Sequence, residues 1–218
     1  MSVAVENFVK AIYKNKRVDG LDTRPGSIAT KLNISNAAAT DMARKLSQKG
    51  LLKYEKYKEL ELTQEGTMMA LQILRKHRIW ETFLFKLLDL SLHEIHREAE
   101  LLEHQTSDFL AEKIHAYLDY PNFDPHGDPI PNASGEIVDV KSISLANAIE
   151  SKDYIISRLQ SDDKDFFDFC SSSGLKNGQL ITVKKQFSKT QMTEVIVNDT
   201  KLLLGYNITS LIKIINEK

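Results

Sequence analysis

Two imidazoles and two carboxylates crowd about two helical turns in His96-x-x-x-Glu100-x-x-Glu103-His104, and a further pair precedes them as His77-x-x-x-Glu81. At about 100° per residue, positions 96, 100, 103 and 104 fall within about 100° of one another on a helix. Burying such a face is costly unless a cation compensates it, and neutral imidazole with carboxylate oxygen is a donor set for a divalent transition metal. The competing reading is a solvated helix face with ordinary ion pairs. Against it, Ile95, Leu101 and Leu102 provide packing positions elsewhere on the same helix. The ligands expected from this pattern are His77, Glu81, His96, Glu100, Glu103 and His104, whereas Glu94, Glu98 and His115 are assigned to the surface.

These residues need elements to position them. Val5, Phe8, Val9 and Ile12 recur at helical spacing over residues 3–14, and a loop containing Asp19-Gly20 and Pro25-Gly26 follows. A short second helix starts at a Ser27 cap. Ser35 has the type and position to cap a third, which Gly50 stops. Two short segments around the charged tip 54–59 predict a β-hairpin. Helix, turn, helix and hairpin make a winged helix-turn-helix over residues 1–64. A long apolar-faced helix then runs to about residue 88. Ser91 with Glu94 forms a capping box for the ligand-bearing helix, and Ser107 caps another. Residues 120–135 hold four of the five prolines and predict a structured loop. Alternating segments near 153–156, 179–183, 193–197 and 201–204 predict a small antiparallel barrel. The fold class expected is mainly α with small β: a winged domain (1–64), a helical metal-binding and dimerisation domain (65–140) and a C-terminal SH3-like β-barrel (150–218).

Charge divides along the same lines. Residues 1–64 carry 12 Lys/Arg against 7 Asp/Glu, a net +5, while residues 65–140 carry 6 against 14, a net −8. The basic end suits phosphate and the acidic middle suits cations. One cysteine, Cys170, excludes an intramolecular disulfide. With no signal-like N-terminus and no membrane-length apolar run, a cytoplasmic location and no membrane partner are expected. On the third helix, Ser35, Asn36, Ala37, Ala38, Thr40, Asp41 and Arg44 form an N-terminal part able to approach base edges. Lys56 and Lys58, with Lys53, Tyr54 and Tyr57, make a basic wing for backbone phosphate. Cys170, with no base nearby in sequence, is expected to be a small buried hydrophobe.

The chain resembles the metal-dependent repressors of the diphtheria-toxin-repressor and manganese-transport-regulator type. The resemblance is carried by Leu74-Arg75-Lys76-His77-Arg78-Ile79-Trp80-Glu81, by Ile95-His96-Arg97-Glu98-Ala99-Glu100, by Glu103-His104-Gln105-x-Ser107-Asp108 and by Pro125-His126-Gly127-Asp128-Pro129-Ile130-Pro131. It implies a homodimer that binds a palindromic double-stranded DNA operator when loaded with Mn(II) or Fe(II) and represses metal-uptake genes. By position, His77, Glu81 and His96 resemble the family's ancillary site, and Glu100, Glu103 and His104 its primary site. Iron-type members carry Cys where Glu100 stands, so the resemblance implies Mn(II) ahead of Fe(II).

This sequence departs from the family pattern in three places. Asn7, with Glu6 adjacent, stands where the family contributes Met or Asp, and Lys10 stands where manganese regulators carry a second acid. Asp124-Pro125-His126 replaces a Cys-Pro-His found in some members, leaving Asp124 and His126 as a donor pair beside Glu81. Gln160, Asp162 and Asp163 lie where some relatives donate C-terminal ligands. Without metal, repulsion among the clustered carboxylates is expected to loosen the arrangement. Two alternatives come from other classes: a metal-independent winged-helix regulator, and a metalloenzyme. The second lacks H-E-x-x-H, a nucleophile elbow or a phosphate loop, so no enzymatic activity is expected.

Overall fold

The computed structural model describes residues 2–161 and 163–217. Helix α1 (Val3–Tyr13) buries Val5, Phe8, Val9 and Ile12, the stripe its spacing requires. It continues as a π-helical stretch over Lys14–Asp19 to Gly20 at φ +65°, where the sequence predicts a loop. Helix α2 (Pro25–Lys31) starts with Pro at its first turn, two residues before the expected Ser27 cap. Pro25 presets a helical φ, and the Ser27 hydroxyl donates instead to Asp22 at 2.9 Å. Helix α3 (Asn36–Gln48) is capped as expected, with Ser35 Oγ accepting the Ala38 N–H at 3.1 Å. Strands β1 (Leu52–Lys53) and β2 (Glu61–Leu62) form the antiparallel wing.

Helices α4 (Gln64–Leu88), α5 (Leu92–Leu102) and α6 (Asp108–Tyr117) follow. The capping box forms at α5, where Glu94 accepts the Ser91 N–H at 2.9 Å and Ser91 Oγ accepts the Glu94 N–H at 3.4 Å. Ser107 Oγ accepts the Leu110 N–H at 3.2 Å in the first turn of α6.

The chain divides into two compact units that cut across α4 and α5: residues 1–77, 99–113 and 131–137, and residues 78–98, 114–130 and 138–218. The first has its core among α1, α2, α3, the wing and the start of α4, around Phe8, Ile12, Ile28, Leu46, Leu60 and Ala70. The second contains an antiparallel sheet of β3 (Ile143–Ser144), β4 (Lys152–Leu159), β5 (Leu180–Phe187), β6 (Met192–Val197), β7 (Thr200–Gly205) and β8 (Ile212–Asn216), in the order β3-β8-β4-β5-β6-β7. The expected barrel is therefore an open sheet, in which β3 and β7 are edges among the described residues. Helix α7 (Lys164–Ser172) supplies Phe166, Phe167 and Cys170 to the core that a closed barrel would fill with strand side chains. Helix α8 (Tyr206–Thr209) joins β7 to β8. No helix among the described residues is long and apolar enough to cross a membrane.

Candidate metal centres and DNA-facing helix

In the first unit, Glu100 in the last turn of α5 and Glu103 and His104 in the turn that follows bring their donor atoms close enough to share one cation. Glu103, 1% exposed, is the hub. Its Oε2 accepts from His77 Nδ1 at 2.7 Å, so α4 contributes through His77. His104 Nδ1 lies 2.6 Å from Glu6 Oε2. A carboxylate accepts, so Nδ1 carries a proton, and in the neutral ring Nε2 then holds the lone pair, the arrangement that prepares a histidine to ligate. That buried Nε2 lies 3.1 Å from Glu103 Oε1 without a hydrogen bond. Two lone-pair atoms facing each other at this distance fit a cation between them better than they fit each other. Asn7 Oδ1 on α1 is likewise buried with no hydrogen-bond partner.

The same cluster contains a cation of its own. Lys10, 6% exposed on α1, donates from Nζ to Glu103 Oε1 at 2.5 Å and to Glu100 Oε1 at 2.7 Å. Two carboxylates, Glu100 and Glu103, thus share one ammonium, while Glu6 is engaged by His104. The expected loosening by mutual repulsion is corrected at this pair, because the ammonium bridges the two oxygens.

In the second unit residues 121–130 fold into a tight loop, with Phe123 and Pro129 forming a β-bridge. Asp124 Oδ1 accepts the backbone N–H groups of His126 and Asp128, both at 2.9 Å. Its Oδ2 is buried without a hydrogen bond, 3.7 Å from Arg78 Nε. His126 Nε2 lies 3.2 Å from the Leu92 carbonyl. The carbonyl accepts, so Nδ1 carries the lone pair, and it faces Glu81 Oε1 at 3.8 Å and Asp124 Oδ1 at 3.9 Å. These gaps are too long for hydrogen bonds and of the order spanned by two ligand bonds of about 2.1 Å to one ion. His96 Nδ1 lies 3.0 Å from Glu81 Oε1. Burial, reinforced by the charges of Asp128 and Glu81, drives the Asp124 carboxyl well above its ordinary pKa, with Arg78 opposing. Burial also lowers the His126 pKa. Without an ion this pocket favours a neutral acid and a neutral imidazole.

Strand β4 locks the loop. The Leu159 N–H donates to the His126 carbonyl at 2.9 Å, and the His126 ring packs on Phe167 with centroids 5.2 Å apart. Gly127 has φ +92°, and a Cβ there would lie 1.9 Å from the Ser157 carbonyl oxygen. Asp128 pairs with Arg78 at 3.1 Å and Arg158 at 2.9 Å. Arg78 and Asp128 fall within the motifs that carry the resemblance, but their pairing with each other and with Arg158 has no local period that a sequence displays. Of the C-terminal candidates, Asp163 caps α7 through the Phe166 N–H at 2.8 Å, the Gln160 N–H bonds the Leu211 carbonyl, and Asp162 lies outside the described residues. Cys170 is buried in the sheet core, where burial pushes its thiol up to about 12, an unreactive side chain.

On α3, Ser35, Asn36, Ala37, Ala38, Asp41 and Arg44 are exposed. Thr40 is half-buried and its hydroxyl donates to the Asn36 carbonyl at 2.8 Å. At the wing, Lys56 Nζ stands 4.9 Å from the Tyr57 ring centroid, and Lys58 pairs with Glu55 at 2.5 Å. Exposed pairs of this kind contribute little and exchange readily for phosphate.

Residues 1–60 match the family model described as iron dependent repressor, N-terminal DNA binding domain, and residues 63–132 match iron dependent repressor, metal binding and dimerisation domain. The diphtheria toxin repressor of Corynebacterium efficiens is 25% identical over 198 residues, covering 86% of each chain. A manganese-dependent transcriptional repressor solved in complex with manganese superposes with a TM-score of 0.90 at 27% identity, over 98% of this chain and 100% of that one. ScaR with bound Cd2+ superposes at 0.81 with 30% identity, over 98% and 99%.

Proposed function

This chain belongs to the iron-dependent repressor family, a family of transcriptional repressors and not of enzymes, and we propose that it is a manganese-preferring member acting on metal-uptake genes in the cytoplasm. Metal-dependent DNA binding by a homodimer is the coarser function, which family membership gives directly. The observation that carries the metal reading is the buried convergence of Glu81, Asp124 and His126, with a histidine lone pair facing two carboxylate oxygens at 3.8 and 3.9 Å.

We assign one divalent-ion site to Glu81, Asp124 and His126, with His96 alongside. A second is assigned to Glu100, Glu103 and His104, with Glu6 orienting His104, His77 bracing Glu103, and Asn7 as a further oxygen donor. When bound, a divalent cation would supply positive charge to the carboxylates of each site. The donors are oxygen and imidazole nitrogen, and the one thiol is sequestered elsewhere, a composition that supports Mn(II) over softer choices. Glu6 holds the His104 tautomer, while the Leu92 carbonyl holds that of His126. The exposed start of α3, from Ser35 to Arg44, is assigned to the major groove of a palindromic operator, with Lys56 and Lys58 on flanking phosphates.

The test is an anaerobic gel shift on the chelated protein with Mn(II) or Fe(II) restored. Operator binding that appears with Mn(II) at lower concentration than with Fe(II) is expected. Binding indifferent to chelation would leave a metal-independent winged-helix regulator, and a clear lead for Fe(II) would overturn the manganese assignment.

A further inference from the structure

Lys10 is a long, flexible and ordinarily solvated side chain, yet its ammonium is buried against two carboxylates of the α5 end. We propose that Lys10 is a tethered counter-cation for the Glu100–Glu103 pair, which a divalent ion must displace to reach those oxygens, so that Lys10 sets the concentration at which this cluster loads. The inference rests on the reading of this cluster as a metal site.

The geometry makes the two cations exclusive. Nζ lies 2.5 Å from Glu103 Oε1 and 2.7 Å from Glu100 Oε1. A divalent ion bridging the same oxygens at about 2.0–2.6 Å needs the same space. Both ammonium contacts are charge-assisted hydrogen bonds, the strong class. The remaining groups do not need Lys10 to stay in place: Glu103 Oε2 is held by His77 and Glu6 by His104. His104 Nε2 and Asn7 Oδ1 are buried without hydrogen-bond partners, donors that the ammonium leaves unused. Exchange replaces one positive charge by two between the Glu100 and Glu103 carboxylates, and the four-carbon stem lets the ammonium swing away. The ion-free cluster is therefore held together by the chain's own cation, and loading is a competition.

The test isolates this cluster by placing Glu81→Gln and His126→Ala together in the full chain and counting bound Mn(II) from loss of the free aqua-ion's electron paramagnetic resonance signal. Adding Lys10→Leu, which removes the charge and offers no ligand, is expected to tighten Mn(II) binding about ten-fold or more, equivalent to about 1.4 kcal/mol, and to lower the ion-free melting temperature. Lys10→Arg should leave both near the parent. Independently, acetylation of Lys10 in the unsubstituted protein, read by mass spectrometry, should quicken when Mn(II) is added.

A folded Lys10→Leu protein with unchanged Mn(II) affinity, or Lys10 acetylation unaffected by saturating Mn(II), overturns the proposal. If Lys10→Leu does not fold without metal, the acetylation result decides. Protein that binds no Mn(II) at all would sink the metal reading and this inference together, whereas Mn(II) bound with Lys10 unmoved sinks only the inference.

Discussion

Replacing Asp124 by Asn separates what this carboxyl does for the fold from what it does for an ion. In the ion-free protein Asp124 titrates well above the usual value of 3.8, first because it is buried and then because Asp128 and Glu81 are near. Between 3.8 and the raised value, the folded state keeps a proton that the unfolded chain has released, so stability falls as pH rises through that window. Each pH unit of such elevation is about 1.4 kcal/mol. Asn removes this penalty while keeping the shape. Its Oδ1 continues to accept the two backbone N–H groups at 2.9 Å, which fixes the amide so that the NH2 group takes the place of Oδ2. The variant should therefore be more stable than the parent at pH 8 in chelator, by about 1.4 kcal/mol for each pH unit by which the carboxyl is raised, with the difference vanishing below pH 4. The amide keeps the Oδ1 oxygen that faces His126 but loses the carboxylate charge and leaves a donor in place of Oδ2, so Mn(II) affinity at the Glu81–His126 site should fall about ten-fold or more. Urea unfolding at pH 4 and 8 with chelator, and calorimetric Mn(II) titration, give both numbers. A variant less stable than the parent at pH 8, or Mn(II) affinity within about three-fold of the parent, would refute the reasoning.

Three other outcomes follow from the same geometry. His104→Ala, which removes the Nε2 donor next to Glu103, should weaken Mn(II)-stimulated operator binding about ten-fold or more while sedimentation still shows a dimer; an unchanged metal response would refute the assignment of His104. Gly127→Ala sets a Cβ 1.9 Å from the Ser157 carbonyl in a positive-φ conformation, so the loop must shift and the melting temperature should drop by several degrees, for a cost of about 2 kcal/mol. Lys56→Ala should reduce the slope of log affinity against log salt by about one without changing operator preference, since a phosphate contact carries no base information; fluorescence anisotropy at several salt concentrations reads it.

Local rules made much of the architecture legible. The Ser35 cap, the Ser91–Glu94 box and the alternation later found in β4–β7 are interactions over one to four residues, which a sequence displays directly. Helix α7 and strand β8 are not predicted from the sequence because their short apolar runs take meaning only from the sheet they complete. The Ser27 cap failed for a comparable reason: Pro25 and Asp22 competed for the same turn. At the cluster, the proximity of Glu100, Glu103 and His104 is legible because they lie within five residues at the end of α5 and the turn after it, whereas the convergence of Asp124 and His126 on Glu81 spans more than 40 residues and is set by the proline loop.

The sequence by itself determined the donor inventory, the winged module and the helix faces, because residue type and helical period are local properties. Only the tertiary structure decided what each donor faces: that the Leu92 carbonyl turns the His126 lone pair toward Glu81 and Asp124, that β4 clamps Gly127, and that Lys10 reaches across from α1 to lie between Glu100 and Glu103. Desolvation and Coulomb attraction act through space, so the partner that neutralises a buried charge can lie 90 residues away in the chain.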